Sequence, residues 1–376
     1  MDFISYGKQS IEQDDIDSVV AVLKSSFLTT GPKVKEFEKA ISKFTGAKYC
    51  ITVSNGTAAL HLASLILLNA GDKVLTTPNS FLATSNSILY VGAKPIFVDI
   101  CEDGNIDLDL CEKELKRDSS IKAIYSVHFS GKVVNQKKLK YLKKKYGVLI
   151  LEDCSHSLGA FSNNIKAGSC KNSDISTFSF HPVKNITTGE GGAITTNSKK
   201  YYKKLLLLRN HGMKANYKVA PWHYDMNEIG FNYRLTDLSC ALGLSQLSKL
   251  ESFLEKRKLI IKFYEKAFEK IDVIKSLYNY DKGSAYHLFV IKIDFNKLMI
   301  SKKEFFIKMK KQNIGLQYHY LPINKQPFYK QLGYGKEKIP KMDEYFRNAV
   351  SLPVYPSLSK KQQNYIVSKI KEILNV

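Results

Sequence analysis

Apolar and polar residues follow one another along this chain in two rhythms. Short runs rich in β-branched and other apolar residues occupy 49–53, 73–77, 94–99, 122–128, 148–153, 175–180 and 193–196. Runs of that length and composition predict strands. Around them, apolar residues recur at the three- and four-residue spacing of amphipathic helices over 11–24, 33–44, 58–68 and 136–146. Strand, crossover helix, strand is the signature of a parallel or mostly parallel sheet covered on both faces. Sheets of that kind place their ligands at the carboxyl ends of their strands. The texture changes near 245–255. A long helical stretch, 236–270, leads to a strand at 285–293, a helix at 302–312, a short strand at 316–320 and a last helix at 360–374. The chain therefore reads as α/β. A large domain over 1–250 holds a mostly parallel sheet between helices, and a smaller C-terminal α+β domain spans 251–376.

Composition narrows the class. A length of 376 residues allows a full core and two domains, and 44% apolar with 24% charged residues is the balance of a globular protein. No apolar run reaches bilayer length, and no basic segment followed by an apolar one opens the sequence, so neither a membrane span nor a secretory signal is expected. Six cysteines, at 50, 101, 111, 154, 170 and 240, show no CxxC spacing. That argues against a zinc site or a disulfide framework and for the reduced cytoplasm. No metal is expected. The formal charge of +22 raises a nucleic-acid reading. In 136–146, however, six lysines surround Leu139 and Leu142, the pattern of an apolar stripe with a solvated face. No arginine-rich arm, zinc finger or aromatic RNA-binding motif accompanies the charge, so nucleic acid is not an expected partner.

Candidate chemistry centres on two residues. Lys184 stands in Ser179-Phe180-His181-Pro182-Val183-Lys184, ahead of a glycine-rich turn at Gly189, Gly191 and Gly192, and Asp153 ends the strand 148–153. A lysine amine condenses with an aldehyde, and a carboxylate at the end of a buried strand keeps a pyridine nitrogen protonated. These are the two protein groups that pyridoxal 5'-phosphate (PLP) requires to act as an electron sink. Either residue alone would read as solvated surface. The setting of Lys184, between an apolar strand and a glycine turn, argues otherwise. Ser54-Asn55-Gly56-Thr57 follows a strand and opens a helix. Gly56 permits close approach of an anion, and the free N–H groups of the first turn with the Thr57 hydroxyl can cradle a phosphate. The plain alternative is a helix cap. Ser179 offers a second phosphate contact, although a lone serine is more often structural. His156 either stacks on or hydrogen-bonds a cofactor ring or caps a turn. Phe81 is a ring-stacking candidate that alone would default to the core, and His181 reads as auxiliary or structural. With PLP on Lys184 as a Schiff base, an amino donor displaces the lysine and the freed amine moves a proton. The amino group then passes to a second carbonyl compound.

Further motifs stand in order along the chain: Gly31 to Glu38, Ser54 to Leu60, Glu152 to Ala160, Phe178 to Lys184, Arg209 to Gly212 and Gly230 to Asp237. With them the chain resembles the DegT/DnrJ/EryC1/StrS family of PLP-dependent nucleotide-sugar aminotransferases. The resemblance implies a fold type I PLP-dependent aminotransferase that works as a homodimer with active sites at the subunit interface. It implies Lys184 as the lysine that carries PLP and Asp153 as the partner of the pyridine nitrogen. Gly56, Thr57 and Ser179 would hold the phosphate, with Asn232 reaching it from the other subunit. Ser155-His156 is similar to the subgroup that aminates UDP-linked 4-keto-6-deoxy-N-acetyl sugars for pseudaminic acid, with L-glutamate as donor. On that model Tyr6, the segment Ser26, Phe27, Leu28 and Thr29, and the segment Tyr318, His319, Tyr320 and Leu321 touch the sugar nucleotide. Two positions depart: Leu321 stands where the subgroup tends to carry Lys, and Asn185 replaces a frequent Pro. The alternatives are an aminotransferase for a dTDP- or GDP-linked keto sugar and, from another class, a non-catalytic regulator or nucleic-acid binder. A sugar dehydratase of the same fold typically lacks the lysine.

Overall fold

A computed structural model describes residues 2–376. Its centre is a seven-stranded sheet of β1 (Tyr49–Val53), β2 (Lys73–Thr76), β3 (Lys94–Phe97), β4 (Ile121–Val127), β5 (Leu149–Asp153), β8 (Ile175–Ser179) and β9 (Gly192–Thr196). Two short strands, β6 (Phe161–Ser162) and β7 (Ile165–Lys166), form a hairpin between β5 and β8. The spatial order is β1-β9-β8-β5-β4-β2-β3. Strand β9 runs antiparallel to both of its neighbours, and the remaining pairs are parallel. All seven strands fall where the apolar runs place them. Alternate side chains along the central strands go to opposite faces. Ala123, Tyr125 and Leu151 pack with the helices Gly56–Leu67 and Lys199–Arg209, whereas Ile124 and Ile150 pack with Leu139 and Leu142 of Gln136–Tyr146. Burial on both faces is why these strands read as continuous apolar runs.

A second hairpin joins β10 (Met213–Ala215) to β11 (Tyr224–Met226). Beyond it lies a three-stranded antiparallel sheet of β12 (Ile274–Ser276), β13 (Phe289–Ile293) and β14 (Ala349–Leu352). This sheet has its own core, in which Ile260, Tyr264, Phe289, Val350, Ile366 and Ile370 meet. Among the described residues no helix is long and apolar enough to cross a membrane.

Three expected elements differ. The stretch 236–270 is two helices, Asp237–Ser248 and Leu250–Phe268, broken at Lys249. There the backbone N–H turns to the Gln246 carbonyl, and the amine reaches Asp14 and Asp15 on the helix Gln13–Leu23. The strand expected from 285 begins at Phe289. The residues before it do not continue the strand, since Tyr286 has a φ of +43° and His287 forms a bend. Outside bonds hold them there, Arg257 donating to the carbonyls of Tyr286 and His287, and Asn185 to that of Ala285. The strand expected at 316–320 is absent, because the segment pairs with β14 only through Gln317 and Ser351 before turning into the site. The helix Pro340–Asn348, with Met342 and Tyr345 buried, was not apparent from periodicity.

Candidate active site

Strand β5 ends at Asp153, and three donors grip its carboxylate. Thr84 Oγ1 lies 2.7 Å from Oδ2, while Ser155 reaches Oδ1 with its hydroxyl at 2.6 Å and its backbone N–H at 3.0 Å. Thr84 sits on the helix Leu82–Tyr90, which follows β2, and the Ser80 hydroxyl stands 2.8 Å from its own. The neighbouring Glu152 is 3% exposed. It accepts from Gln136 Nε2 and Ser173 Oγ, both at 2.5 Å, with His128 Nε2 at 3.2 Å. Burial pulls its carboxyl upward, but bonds from His128, Ser173 and Gln136 outweigh that and hold it below the ordinary range.

Lys184 follows β8 in a tight turn, its backbone N–H on the His181 carbonyl. The residue is only partly buried, yet desolvation at its amine pulls it down to about 8, against the opposing charge of Asp153. At the end of β1 the helix Gly56–Leu67 begins. Asn55 caps it, accepting from the Ala58 N–H at 2.8 Å. Among the described residues the N–H groups of Gly56 and Thr57 have no partner, and both residues line the cavity. The cap and the anion cradle therefore coexist. A Cβ on Gly56 would stand 2.9 Å from the Ser179 Cβ, so only glycine leaves that cradle open.

One wall is built of aromatic rings. His156 packs on His287 with ring centroids 4.3 Å apart, and its Nε2 is 3.1 Å from the Tyr320 hydroxyl. His319 Nδ1 lies 2.8 Å from Ser351 Oγ, and the Tyr6 ring covers it at 5.3 Å. Desolvation holds all three imidazoles below the ordinary range, His319 at about 3, and Lys184 reinforces the effect. Burial thus disfavours the charged form of each ring. Phe81 stands at the rim, 60% exposed, its ring 6.3 Å from Tyr320.

These groups surround one cavity of about 770 Å³ at the carboxyl ends of the strands. Tyr6, Gly56, Thr57, Phe81, Asp153, His156, Ser179, Lys184, Tyr318, His319 and Tyr320 all line it. Ser26, Phe27, Leu28 and Thr29 do not: they form an exposed segment tied to Asp237 and Thr236. Leu321 is also outside the lining, and Asn232 is exposed with its backbone paired to Asn210. Thr84, His287 and Gln317 line the cavity although the sequence reading did not single them out. The donor set suits PLP. Two free N–H groups and Ser179 fit a phosphate, a partly deprotonated amine fits an aldehyde, and a held carboxylate fits a ring nitrogen. The buried Nδ1 of His156, which has no partner among the described residues, would gain one.

A model of the DegT/DnrJ/EryC1/StrS aminotransferase family matches residues 9–371. The chain is 40% identical over 373 residues to the UDP-4-amino-4,6-dideoxy-N-acetyl-beta-L-altrosamine transaminase of Campylobacter jejuni subsp. jejuni serotype O:2, covering 99% of this chain and 97% of the relative. Among solved structures, it superposes on Helicobacter pylori PseC, an aminotransferase of pseudaminic acid biosynthesis, with a TM-score of 0.94 at 32% identity, over 99% of both chains. It superposes on Spr1654 of Streptococcus pneumoniae in its PLP form with a TM-score of 0.90 at 29% identity, again over 99% of both chains.

Proposed function

Because the chain belongs to the DegT/DnrJ/EryC1/StrS aminotransferase family, we propose that it transfers an amino group from L-glutamate to the 4-keto carbon of a UDP-linked 4-keto-6-deoxy-N-acetyl hexose. The product is a 4-amino-4,6-dideoxy sugar nucleotide for pseudaminic-acid-type glycans, and PLP is the cofactor. The observation that carries this reading is the meeting of Lys184, Asp153 and an anion cradle in one cavity of a chain 40% identical, end to end, to an altrosamine transaminase.

When bound, PLP supplies an aldehyde for amines and a cationic ring that withdraws electrons. The N–H groups of Gly56 and Thr57, with Ser179, would hold its phosphate, Asp153 its ring nitrogen and Lys184 its aldehyde carbon. The chain's own groups then do the proton work. Lys184 Nζ, lowered to about 8, gives up its proton more readily than an ordinary lysine and, once neutral, can take one from the donor's α-carbon. Asp153, held on both oxygens, keeps its negative charge in one place. His156, fixed through Nε2 by Tyr320, offers Nδ1 as a neutral hydrogen-bonding group. Tyr6, Tyr318 and His319 would position the sugar nucleotide.

We also infer a homodimer with shared sites. Asn232 is exposed and lies outside its own cavity, which supports a role across an interface. The segment around β10 and β11 presents Tyr217, Trp222 and Ile229 to solvent, at 76%, 82% and 80% exposure, an apolar surface that a second copy would cover. Six unpaired cysteines support a reducing, cytoplasmic setting.

The test supplies L-[¹⁵N]glutamate and the UDP-linked 4-keto sugar. Label at C4 of the product, with one 2-oxoglutarate per transfer, is the expected result. Transfer only to a dTDP- or GDP-linked keto sugar would replace the substrate assignment with its nearest rival.

A further inference from the structure

We propose that Thr84, backed by Ser80, is a positioning residue that locks the Asp153 carboxylate in one orientation for the cofactor's ring nitrogen. The inference rests on the reading of Asp153 given above.

A carboxylate at the end of an aspartate has a broad, two-fold torsional preference and turns readily unless both oxygens are engaged. In this site they are. The grip of Ser155 on Oδ1 is local, two residues along the chain, and is the kind of bond an aspartate makes with its own turn. The grip of Thr84 on Oδ2 is different. It spans 69 residues and comes from the helix after β2, two strands away in the sheet. Without it, one oxygen would be free to swing. Thr84 is 0% exposed and Ser80 2%, so at the cavity wall each hydroxyl is engaged by its protein partner rather than turned out to bulk solvent.

The direction of the bonds follows from proton counting. A hydroxyl has a single hydrogen. A carboxylate only accepts, so Thr84 gives its hydrogen to Asp153 Oδ2 at 2.7 Å. Ser80 must therefore be the donor in the 2.8 Å contact between the two hydroxyls. The row runs one way, from Ser80 to Thr84 to Asp153, and each bond polarises the next. Bonds to an ionised acceptor are the strong ones. The ionisable groups that sense the Asp153 charge are Lys184, Tyr320 and Cys154. Of these only Lys184 is a cation, and it is the group that must be free to leave and return. Two hydroxyls thus hold the carboxylate without competing for the proton that Lys184 carries.

The test compares wild type, T84V, T84S and D153N loaded with PLP. One readout is the pH midpoint of the visible band of the lysine-bound cofactor, and the other is the PLP dissociation constant. A protonated ring nitrogen lowers that midpoint, so loosening Asp153 raises it. T84V should raise it by about half a unit, a threefold change in protonation ratio, in the same direction as D153N. It should also weaken PLP severalfold. T84S keeps the hydroxyl and should restore both values. An unchanged midpoint in T84V, or a shift that T84S fails to reverse, overturns the proposal. If D153N also leaves the midpoint unmoved, the reading of Asp153 itself fails and the proposal with it. Should T84V not fold, S80A is expected to move the midpoint the same way by a smaller amount, and no movement there overturns the proposal.

Discussion

The most direct consequence of the site's electrostatics is a lysine that gives up its proton early. A lysine amine at its ordinary 10.5 is neutral in about 0.03% of molecules at pH 7, whereas one at about 8 is neutral in about 9%. The difference of 2.5 units (10.5 less 8) leaves about 300-fold more of the nucleophilic form at pH 7. The cause is desolvation, which the charge of Asp153 partly opposes. The assay mixes PLP-free protein with PLP and follows the growth of the visible band from pH 6 to pH 10. Below pH 8 the rate should rise about tenfold per unit, and above it the rate should level off. D153N removes the charge that holds the amine up, so its midpoint should fall. A wild-type rate still climbing at pH 10 would refute the reasoning, as would a D153N midpoint that rises.

Three further outcomes follow from the same geometry. Lys184→Ala removes both the covalent attachment and the proton carrier, and steady-state turnover should fall by a factor of about 10⁴ or more; retention within a hundredfold of wild type would show another base at work. Gly56→Ala sets a methyl 2.9 Å from the Ser179 Cβ, and the PLP dissociation constant, read by titration, should rise about tenfold or more. Glu152→Ala leaves the Gln136 and Ser173 donors short of their acceptor in a buried site and should cost about 2–3 kcal/mol in urea unfolding. Because the folded carboxyl is held below its ordinary 4.5, its contribution is present above that pH and fades as pH falls. The gap between wild type and E152A should therefore narrow in acid. A gap of less than about 1 kcal/mol at pH 7 would contradict the account.

The parts of the fold legible in the sequence are those with a local cause. Strands β4 and β5 are buried on both faces, so each reads as an unbroken apolar run, and Asp153 and Lys184 stand out as charges at the ends of such runs. The parts that were not legible depend on contacts between distant segments. Thr84 lies in Leu-Ala-Thr-Ser-Asn-Ser-Ile-Leu-Tyr (82–90), a helix whose polar face turns inward to Asp153, so no amphipathic period marks it. His287 sits in a segment that looks like the start of β13 but is shaped by Arg257 and Asn185. Lys249 breaks a helix because its amine reaches Asp14 and Asp15, on an element far earlier in the chain. Asn232 and the 26–29 segment lie outside the cavity of their own chain, and a single sequence carries no mark of which subunit a residue serves.

The central claim is tested most directly by an absorption titration in two steps. The PLP-loaded protein is converted with L-glutamate, the keto acid is removed, and the UDP-linked 4-keto-6-deoxy-N-acetyl sugar is added. The account predicts that the visible band of the lysine-bound cofactor disappears with glutamate and returns with the sugar. A band that glutamate leaves untouched, or one that glutamate removes and this sugar cannot bring back, would contradict it.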